Sequence, residues 1–294
     1  MPQKVRSKRD PNVNYRLDLA QIACVYKTWV KGAALLLSWQ YPLCGAHTLI
    51  FCYWNFFLGD DIVIEIPELF GPALDPASGN PAKQLVILCH GVGSDGNDMI
   101  GLAPYFAKVL PDAKFIAPNA PHKFDGAPFG YQWFSLGDMS MANRLSGTQA
   151  VSPILNDFID EQLAAHGLEE SQLALVGFSQ GAMVGLHVGL RRTRELAGII
   201  GYSGILIGPE LLAEEMRSSP SVLVMHGDAD DIVPPENLGL TVAALKSAGV
   251  PVQHQMQKAL GHGLDDQCIM QGMEFLARCF GVPLPKPVTN ESLT

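Results

Sequence analysis

The sequence lacks the cysteine and histidine spacings that build metal sites and disulfide frameworks. Its six cysteines form no C-x-x-C pair, and none of its eight histidines stands in an H-x-x-x-H or H-E-x-x-H pairing. Zinc sites depend on such pairings, so we expect no metal ion. Cys89 stands in the apolar run LVILC and Cys279 in a helical pattern, which is typical of core thiols. Such thiols favour a reducing compartment and predict a cytoplasmic protein.

Long apolar runs and an excess of basic residues are also lacking. The most apolar stretch, residues 32–58, is interrupted by Gln40, Pro42 and His47 before it reaches the roughly 20 apolar residues that a membrane span needs. Residues 61–294 carry 13 lysine and arginine residues against 26 acidic ones, and this argues against a nucleic-acid partner. A phosphate-binding glycine loop followed by lysine is absent as well.

The first part of the chain, residues 1–61, differs in composition from the rest. Residues 1–60 carry seven lysine and arginine residues against three acidic ones. The basic start QKVRSKR lies far from the short apolar run AALLL, and no small-residue cleavage site follows, so a signal peptide is not predicted. Two interpretations stay open, a segment that associates with a membrane through residues 1–60 and a poorly structured extension.

From about residue 62 the chain alternates between short apolar stretches and helical patterns, which predicts the α/β class. Within the first long helical pattern, Ser152 is the predicted N-cap and Gly167 the predicted terminator. Residues 62–282 contain no internal repeat or linker and are predicted to form one domain, followed by a tail of residues 283–294. The predicted strands are 62–66, 84–89, 114–118, 173–177, 198–202, 221–226 and 252–257, and the predicted helices are about 98–109, 152–167, 180–193, 236–248 and 265–280.

One serine stands at a junction between a predicted strand and a predicted helix. In LALVGFSQGAMVG, residues 173–185, Ser179 lies between Gly177 and Gly181 in the pattern G-x-S-x-G. This context predicts a nucleophile elbow, in which the serine holds a strained backbone and the glycines let the strand and the helix approach closely. The alternative is a serine that caps the helix after a glycine turn.

A serine hydroxyl is a weak nucleophile at neutral pH, so an elbow requires a histidine base and an acid that orients it. Both should follow the serine along the chain, each after a strand. Asp228, Asp230 and Asp231 follow one predicted strand, and His262 stands between two glycines after the next. A solvated acidic turn and a structural histidine are the alternatives.

Position separates the three aspartates. Asp228 directly follows the strand and is expected to bind local backbone NH groups as a cap. Asp231 precedes Ile232 and Val233, whose apolar side chains are expected to point into the protein, so its carboxylate is expected to face water. Asp230 lies between these two and is the predicted orienting acid.

An oxyanion hole needs backbone NH groups, one from Gln180 directly after the serine and one from the loop after an early strand. The stretch LVILCHGVGSDGND supplies that loop, in which glycines let the backbone turn its NH groups toward a substrate. A phosphate-binding loop is the alternative, but this stretch lacks the lysine that such a loop is expected to contain. A glycine-rich loop followed by a serine, an acid and a histidine, in this order along the chain, is typical of a serine hydrolase.

Four stretches, LCHGVGSDGND, GFSQGAMVG, HGDADDIVP and GHGLDD, resemble the signatures of the phospholipase and carboxylesterase branch of the α/β-hydrolases, which includes acyl-protein thioesterases. The resemblance covers residues 62–282 and implies an α/β-hydrolase fold, a mostly parallel central sheet flanked by helices. The roles that it implies are a triad of Ser179, Asp230 and His262, an oxyanion hole from the NH groups of Val92 and Gln180, and substrate binding by Gly93 and by Trp133 in GYQWFSL.

The resemblance implies a carboxylesterase that needs no cofactor and cleaves small or medium acyl esters through an acyl-enzyme. Acyl-protein thioesterase or lysophospholipase activity is the near alternative, and a membrane-surface binding protein on a hydrolase scaffold is an alternative of another class. The predicted elements between Ser179 and Asp230 leave no room for a large lid domain. Residues 119–150 are predicted to form an apolar pocket rim, and because such rims often pair between subunits, a homodimer is a further prediction.

Overall fold

The computed structural model describes residues 3–6, as backbone, and residues 67–284. These residues form an eight-stranded sheet and a separate two-stranded hairpin. Strand β2 is antiparallel to β1 and to β4, and the other neighbours in the large sheet are parallel, in the order β1-β2-β4-β3-β7-β8-β9-β10. The strands are β1 Gln3–Arg6, β2 Phe70–Leu74, β3 Gln84–Cys89, β4 Ala113–Ile116, the hairpin β5 His122–Lys123 and β6 Tyr131–Gln132, β7 Leu173–Phe178, β8 Gly198–Tyr202, β9 Val222–Gly227 and β10 Val252–Gln257.

Helices connect the parallel strands. In the described part of the chain they are α1 Gly96–Met99, α2 Ala103–Phe106, α3 Met141–His166, α4 Gln180–Arg191, α5 Leu212–Glu215, α6 Glu236–Ser247 and α7 Asp266–Cys279, with short 3-10 helices at Ile100–Leu102, Glu170–Gln172 and Pro209–Leu211. Parallel strands need such crossover connections because the chain must return to the end of the sheet at which the previous strand began.

The sheet is covered on both faces. Successive strand residues point to opposite faces, and in β3 Leu85 and Ile87 pack in a core with residues of α3 and α4, whereas Val86 and Leu88 pack with residues of α2 and α7. A parallel sheet buried on both faces is the layered arrangement of α/β proteins. The predicted fold class is therefore confirmed, and the described residues contain no lid domain between Ser179 and Asp230.

The strand prediction omits β1, β2 and the two hairpin strands β5 and β6. Strand β2 was not predicted because Gly71 and Pro72 break its apolar pattern. A Cβ atom on Gly71 would lie 2.0 Å from the Ala117 carbonyl oxygen, so glycine is required where this strand approaches the chain that leaves β4. The predicted strand at 62–66 lies outside the described residues.

The predicted start of the longest helix is wrong. Helix α3 begins at Met141, after Ser140, whose hydroxyl accepts from the Asn143 NH at 3.2 Å. Ser152 lies inside the helix, and its hydroxyl donates to the Thr148 carbonyl at 2.6 Å instead of capping a new helix. A serine bonded to the preceding turn is compatible with a continuing helix. The predicted terminator Gly167 is confirmed, at φ +64°.

Among the described residues, no helix is long and apolar enough to span a membrane. The apolar stretch 32–58 lies outside the described residues. The predicted extension of residues 1–61 is described only at β1, and the predicted tail only at residues 283 and 284.

Candidate active site

A strained serine stands at the end of β7. Ser179 follows the last residue of β7 and precedes α4, with φ +52° and ψ −117°. A non-glycine residue at positive φ is strained, and such strain is common at functional turns. The Ser179 NH donates to the Tyr202 carbonyl on the neighbouring strand at 2.8 Å. The Ser179 side chain makes no capping hydrogen bond to α4, so the helix-cap alternative is wrong and the predicted elbow is present.

Two glycines allow the close approach at this elbow. A Cβ atom on Gly181 would lie 2.1 Å from the Cys89 carbonyl oxygen, and one on Gly177 would lie 2.4 Å from the Ala182 nitrogen. Both positions would collide with backbone atoms, so only glycine fits. The predicted reason for these two glycines is therefore confirmed.

Asp230 and His262 are in direct contact. Asp230 Oδ2 lies 2.8 Å from His262 Nδ1, although 32 positions separate the two residues along the chain. An ionised carboxylate only accepts hydrogen bonds, so Nδ1 donates and Nε2 of the neutral ring keeps its lone pair. The His262 ring centroid lies 4.9 Å from that of Phe178, the residue before Ser179. The structure thus brings the three predicted triad residues to one edge of the sheet.

The Asp230 carboxylate is charged despite its burial. Burial by itself would raise the pKa of this carboxyl, but hydrogen bonds from His262, the Val233 NH and the Ile232 NH outweigh it and lower the pKa below the ordinary value. The two backbone NH groups donate to Oδ1 at 2.8 Å from Val233 and 3.0 Å from Ile232. A buried carboxylate with this many donors is held ionised.

The neighbouring aspartates partly depart from their predictions. Asp231 is exposed, as predicted. Ile232 is 63 % exposed, so the prediction that its side chain points inward is wrong, whereas Val233 is buried. Asp228 does not cap its own turn; its Oδ1 accepts from the Ala259 NH at 2.7 Å. Asp228 therefore fixes the chain that leads from β10 to His262.

The two predicted oxyanion-hole residues lie beside Ser179. Val92 follows β3, and among the described residues its NH has no hydrogen-bond partner. Gln180 is the first residue of α4, where a helix leaves its NH without an intrahelical acceptor. A Cβ atom on Gly91 would lie 3.2 Å from the Ser179 Cβ, so the loop after β3 touches the elbow. The arrangement has the donors that an oxyanion needs.

The side chain of His90 forms hydrogen bonds with the backbone around the loop after β3. Its Nε2 accepts from the Ala120 NH at 2.9 Å, which assigns the proton of the neutral ring to Nδ1, and Nδ1 donates to the Gly91 carbonyl at 2.7 Å. The side chain is fully buried, and this burial lowers the pKa of His90, so it stays neutral at neutral pH. A neutral ring of fixed tautomer holds the backbone of the loop in one position.

The predicted substrate-binding glycine also has a backbone role. Gly93 has φ +80°, and its NH donates to the Tyr131 carbonyl at 2.8 Å. The Tyr131 NH donates in return to the Ser94 carbonyl at 2.8 Å. The hairpin of β5 and β6 is therefore hydrogen-bonded to the loop after β3, and glycine suits the positive φ at position 93.

Trp133, the other predicted substrate contact, is fully buried. Its indole NH donates to the His90 carbonyl at 2.9 Å, and its backbone NH donates to Gln180 Oε1 at 2.7 Å. Gln180 Nε2 in turn donates to the Phe134 carbonyl at 2.7 Å. This conformation gives Trp133 no exposed surface for an acyl group. The residue instead joins the loop after β3, through its indole NH, to Gln180 at the start of α4, through its backbone NH.

Sequence reasoning missed the supporting contacts of the site. His90 and His226 are not among the predicted site residues, yet both are buried within the hydrogen-bond network of the site. Their position directly before a glycine at the end of an apolar strand was the available signal. The bond between Asp228 and Ala259 joins residues 31 apart and has no local signal.

A mostly parallel sheet covered on both faces, a strained serine at the turn from strand to helix, and an acid and a histidine after later strands define an α/β-hydrolase. The sequence profile of the phospholipase/carboxylesterase family matches residues 76–280. The chain belongs to this family and is a hydrolase that acts on esters.

Similar proteins agree with this assignment. Esterase YpfH of Escherichia coli (strain K12) is 28% identical over 214 residues, which cover 73% of this chain and 89% of that protein. Acyl-protein thioesterase 1 of Gibberella zeae is 27% identical over 208 residues, 65% of this chain and 88% of that protein. The chain is also similar to esterase PE8, whose crystal structure superposes on it with a TM-score of 0.69. The two sequences are 40% identical, and the match covers 71% of this chain and 98% of the PE8 chain.

Proposed function

We propose that the chain is a serine carboxylic-ester hydrolase, a carboxylesterase that works through an acyl-enzyme on Ser179. The observation that carries the proposal is the contact between Asp230 and His262 beside the strained elbow. Asp230 Oδ2 holds the proton of His262 on Nδ1 at 2.8 Å, which leaves Nε2 of the ring as the base. A histidine whose Nε2 carries the lone pair can accept the hydroxyl proton of a serine nucleophile.

In the proposed reaction, His262 Nε2 accepts the Ser179 hydroxyl proton while Oγ attacks the ester carbonyl carbon. The carbonyl oxygen gains the negative charge and binds the NH groups of Val92 and Gln180. As the tetrahedral intermediate collapses, the alcohol leaves with the proton from His262, and the acyl group stays on Ser179. Water then gives a proton to His262 and attacks the acyl carbon. As this second intermediate collapses, His262 returns the proton to Ser179 Oγ and the acid leaves.

Replacement of the nucleophile tests this proposal. Ser179→Ala should lower kcat for a short chromogenic ester by roughly four to six orders of magnitude, because loss of the nucleophile removes the covalent route. Ser171→Ala, at an exposed serine before β7, is the matched control and should keep the wild-type rate. Unchanged turnover in Ser179→Ala, in a protein that folds normally, would contradict the proposal.

The proposed substrate class is a small or medium acyl ester. Exposed apolar side chains lie on the loops that are bonded to the site, such as Phe129 before the hairpin strand β6 and Ile232 after Asp230. Acyl-protein thioesterase or lysophospholipase activity is the near alternative, and the similarity to acyl-protein thioesterase 1 of Gibberella zeae favours the first of these two. A matched series of oxygen esters and thioesters of increasing acyl length separates them. Higher kcat/KM for the oxygen esters supports a carboxylesterase, and higher values for the thioesters would overturn this choice.

The proposed catalytic domain is residues 62–282, with residues 1–61 as an extension and 283–294 as a tail. The family match at 76–280 supports this range. The strands that carry the site, β7, β9 and β10, lie toward one side of the sheet, whereas β1 is the edge strand on the other side. Deletion of residues 1–61 should therefore keep kcat within about threefold, since the only described element that it removes is β1, at the far edge of the sheet. Loss of activity in a folded truncated protein would contradict these boundaries.

Membrane association through residues 1–60, a homodimer and a cytoplasmic location stay predictions. The described cysteines Cys89, Cys268 and Cys279 are free thiols, which supports a reducing compartment. Flotation with liposomes and light scattering of the purified chain test the first two. Binding of the full chain but not of the chain without residues 1–60 would support the membrane prediction, and binding by neither would contradict it.

A further inference from the structure

A second histidine touches the Asp230 carboxylate. His226 lies near the end of β9, four positions before Asp230, and its side chain has no exposed surface. Its Nε2 lies 2.8 Å from the Val233 carbonyl oxygen and 3.2 Å from Asp230 Oδ2. Because both neighbours are acceptors, the proton of the ring must be on Nε2, which donates to the Val233 carbonyl oxygen. Asp230 Oδ2 lies beside the same NH as a close electrostatic contact.

The other ring nitrogen of His226, Nδ1, shows that a histidine at this position costs free energy of folding. His226 Nδ1 is buried and has no hydrogen-bond partner among the described residues. A buried polar atom without a partner destabilises the folded state, and each such atom in a native protein needs an explanation. An apolar residue at this position would remove that penalty but would also remove the Nε2 donor.

His226 is joined to the carboxylate through Val233 and by direct proximity. His226 Nε2 donates to the Val233 carbonyl, and the Val233 NH donates to Asp230 Oδ1. Oδ2 has two imidazole nitrogens close to it, Nδ1 of His262 as a hydrogen-bond donor at 2.8 Å and Nε2 of His226 as an electrostatic contact at 3.2 Å. The positive end of the Nε2–H dipole favours the orientation in which Oδ2 stays beside His262.

We propose that His226 is a positioning residue for ester hydrolysis, whose Nε2–H holds Asp230 Oδ2 in the orientation that receives His262. The inference rests on the proposed triad, since His226 acts only through Asp230. Without the Nε2 donor, Oδ2 can turn away from His262 Nδ1, and the histidine spends less time in the reactive orientation. The acyl group does not touch His226, so substrate binding is unaffected.

A matched pair of variants separates positioning from packing. His226→Gln places an amide NH near the position of Nε2, whereas His226→Met has a similar shape without a donor. We expect kcat of His226→Met to fall about 10- to 100-fold with KM within about twofold, because the Val233 carbonyl loses its donor and Asp230 Oδ2 loses the adjacent NH. His226→Gln should stay within about fivefold of wild type. Equal rates in the two variants would overturn the proposal.

A second background guards against a simple folding defect. If His226 acts through Asp230, His226→Met should lower kcat less than about threefold when Asp230 is already asparagine, because the two effects are then not independent. Equal losses in both backgrounds would indicate packing and overturn the proposal. Should His226→Met not fold, His226→Asn, whose amide lies near Nδ1, replaces it with the same expected loss. Wild-type activity in Ser179→Ala would overturn the triad itself, whereas an inactive Ser179→Ala beside a fully active His226→Met would overturn only this inference.

Discussion

The two ends of the sheet each bury a charged side chain, but they hold it in different ways. At the carboxyl ends of the parallel strands, Asp230 is 4 % exposed and receives hydrogen bonds from two backbone NH groups and from Nδ1 of His262. At the opposite end, Lys114 on β4 is 6 % exposed, and its ion-pair partner Asp75 has a side chain that is 57% exposed. A buried charge alone therefore does not mark a functional site.

Backbone strain also separates the two ends. Among the described residues, three non-glycine residues have positive φ, and all of them follow carboxyl ends of strands: Ser179 after β7, Ser203 after β8 and Ala259 after β10. The opposite end has an open cavity of about 330 Å³ between Asp75, Lys114 and His166 and no strain of this kind. Strain persists only where surrounding contacts enforce it, which points to the carboxyl edge as the site.

The largest effect in this comparison should come from the acid itself. Asp230→Asn should lower kcat by about 10³ to 10⁴, because an amide can stabilise the wrong tautomer of His262. Asp231→Asn, at an exposed carboxylate one position on, should cost less than about threefold, and Asp228→Asn less than about tenfold because its amide oxygen can still accept from Ala259. Ester turnover of the three purified variants decides this. A large loss of kcat in Asp228→Asn or Asp231→Asn, with normal turnover in Asp230→Asn, would assign the orienting acid to that other aspartate.

This comparison also indicates what a sequence can predict. Ser179, His262 and the acidic loop were predictable because the serine pattern, the flanking glycines and the chain order are local signals. The partners of Asp228 and His226 were not, because they depend on how loops from different strands meet in space. The start of α3 at Met141 was missed for a local reason, since Ser152 and Pro153 imitate a helix start inside a continuous helix.

A smaller effect is expected from the glycines of α4. Gly181→Ala places a Cβ atom 2.1 Å from the Cys89 carbonyl oxygen and should destabilise the protein by about 2 to 4 kcal/mol. Gly185→Ala, one helical turn away from the edge, meets only Leu175 Cβ at 4.0 Å and should stabilise it by about 0.5 to 1 kcal/mol. Urea unfolding measures both. Equal effects at the two positions would contradict the close approach at the elbow.

The smallest effect on activity is expected at the opposite end of the sheet. Lys114→Met removes the buried ammonium group and keeps a similar volume, so kcat and KM should stay within about twofold, and the free energy of unfolding should change by less than about 2 kcal/mol. Parallel measurement of ester turnover and urea unfolding checks this. A folded Lys114→Met with tenfold lower kcat would show that the two ends are coupled and would break the comparison.

Covalent labelling tests the central claim, that Ser179 is the nucleophile, most directly. A fluorophosphonate reacts with a serine that is activated by a neighbouring base, and peptide mapping by mass spectrometry locates the adduct. We expect a single adduct per chain, on Ser179, formed together with loss of ester turnover, and much slower labelling in Asp230→Asn. An adduct on another serine that abolishes turnover, or full turnover after Ser179 is labelled, would contradict the account.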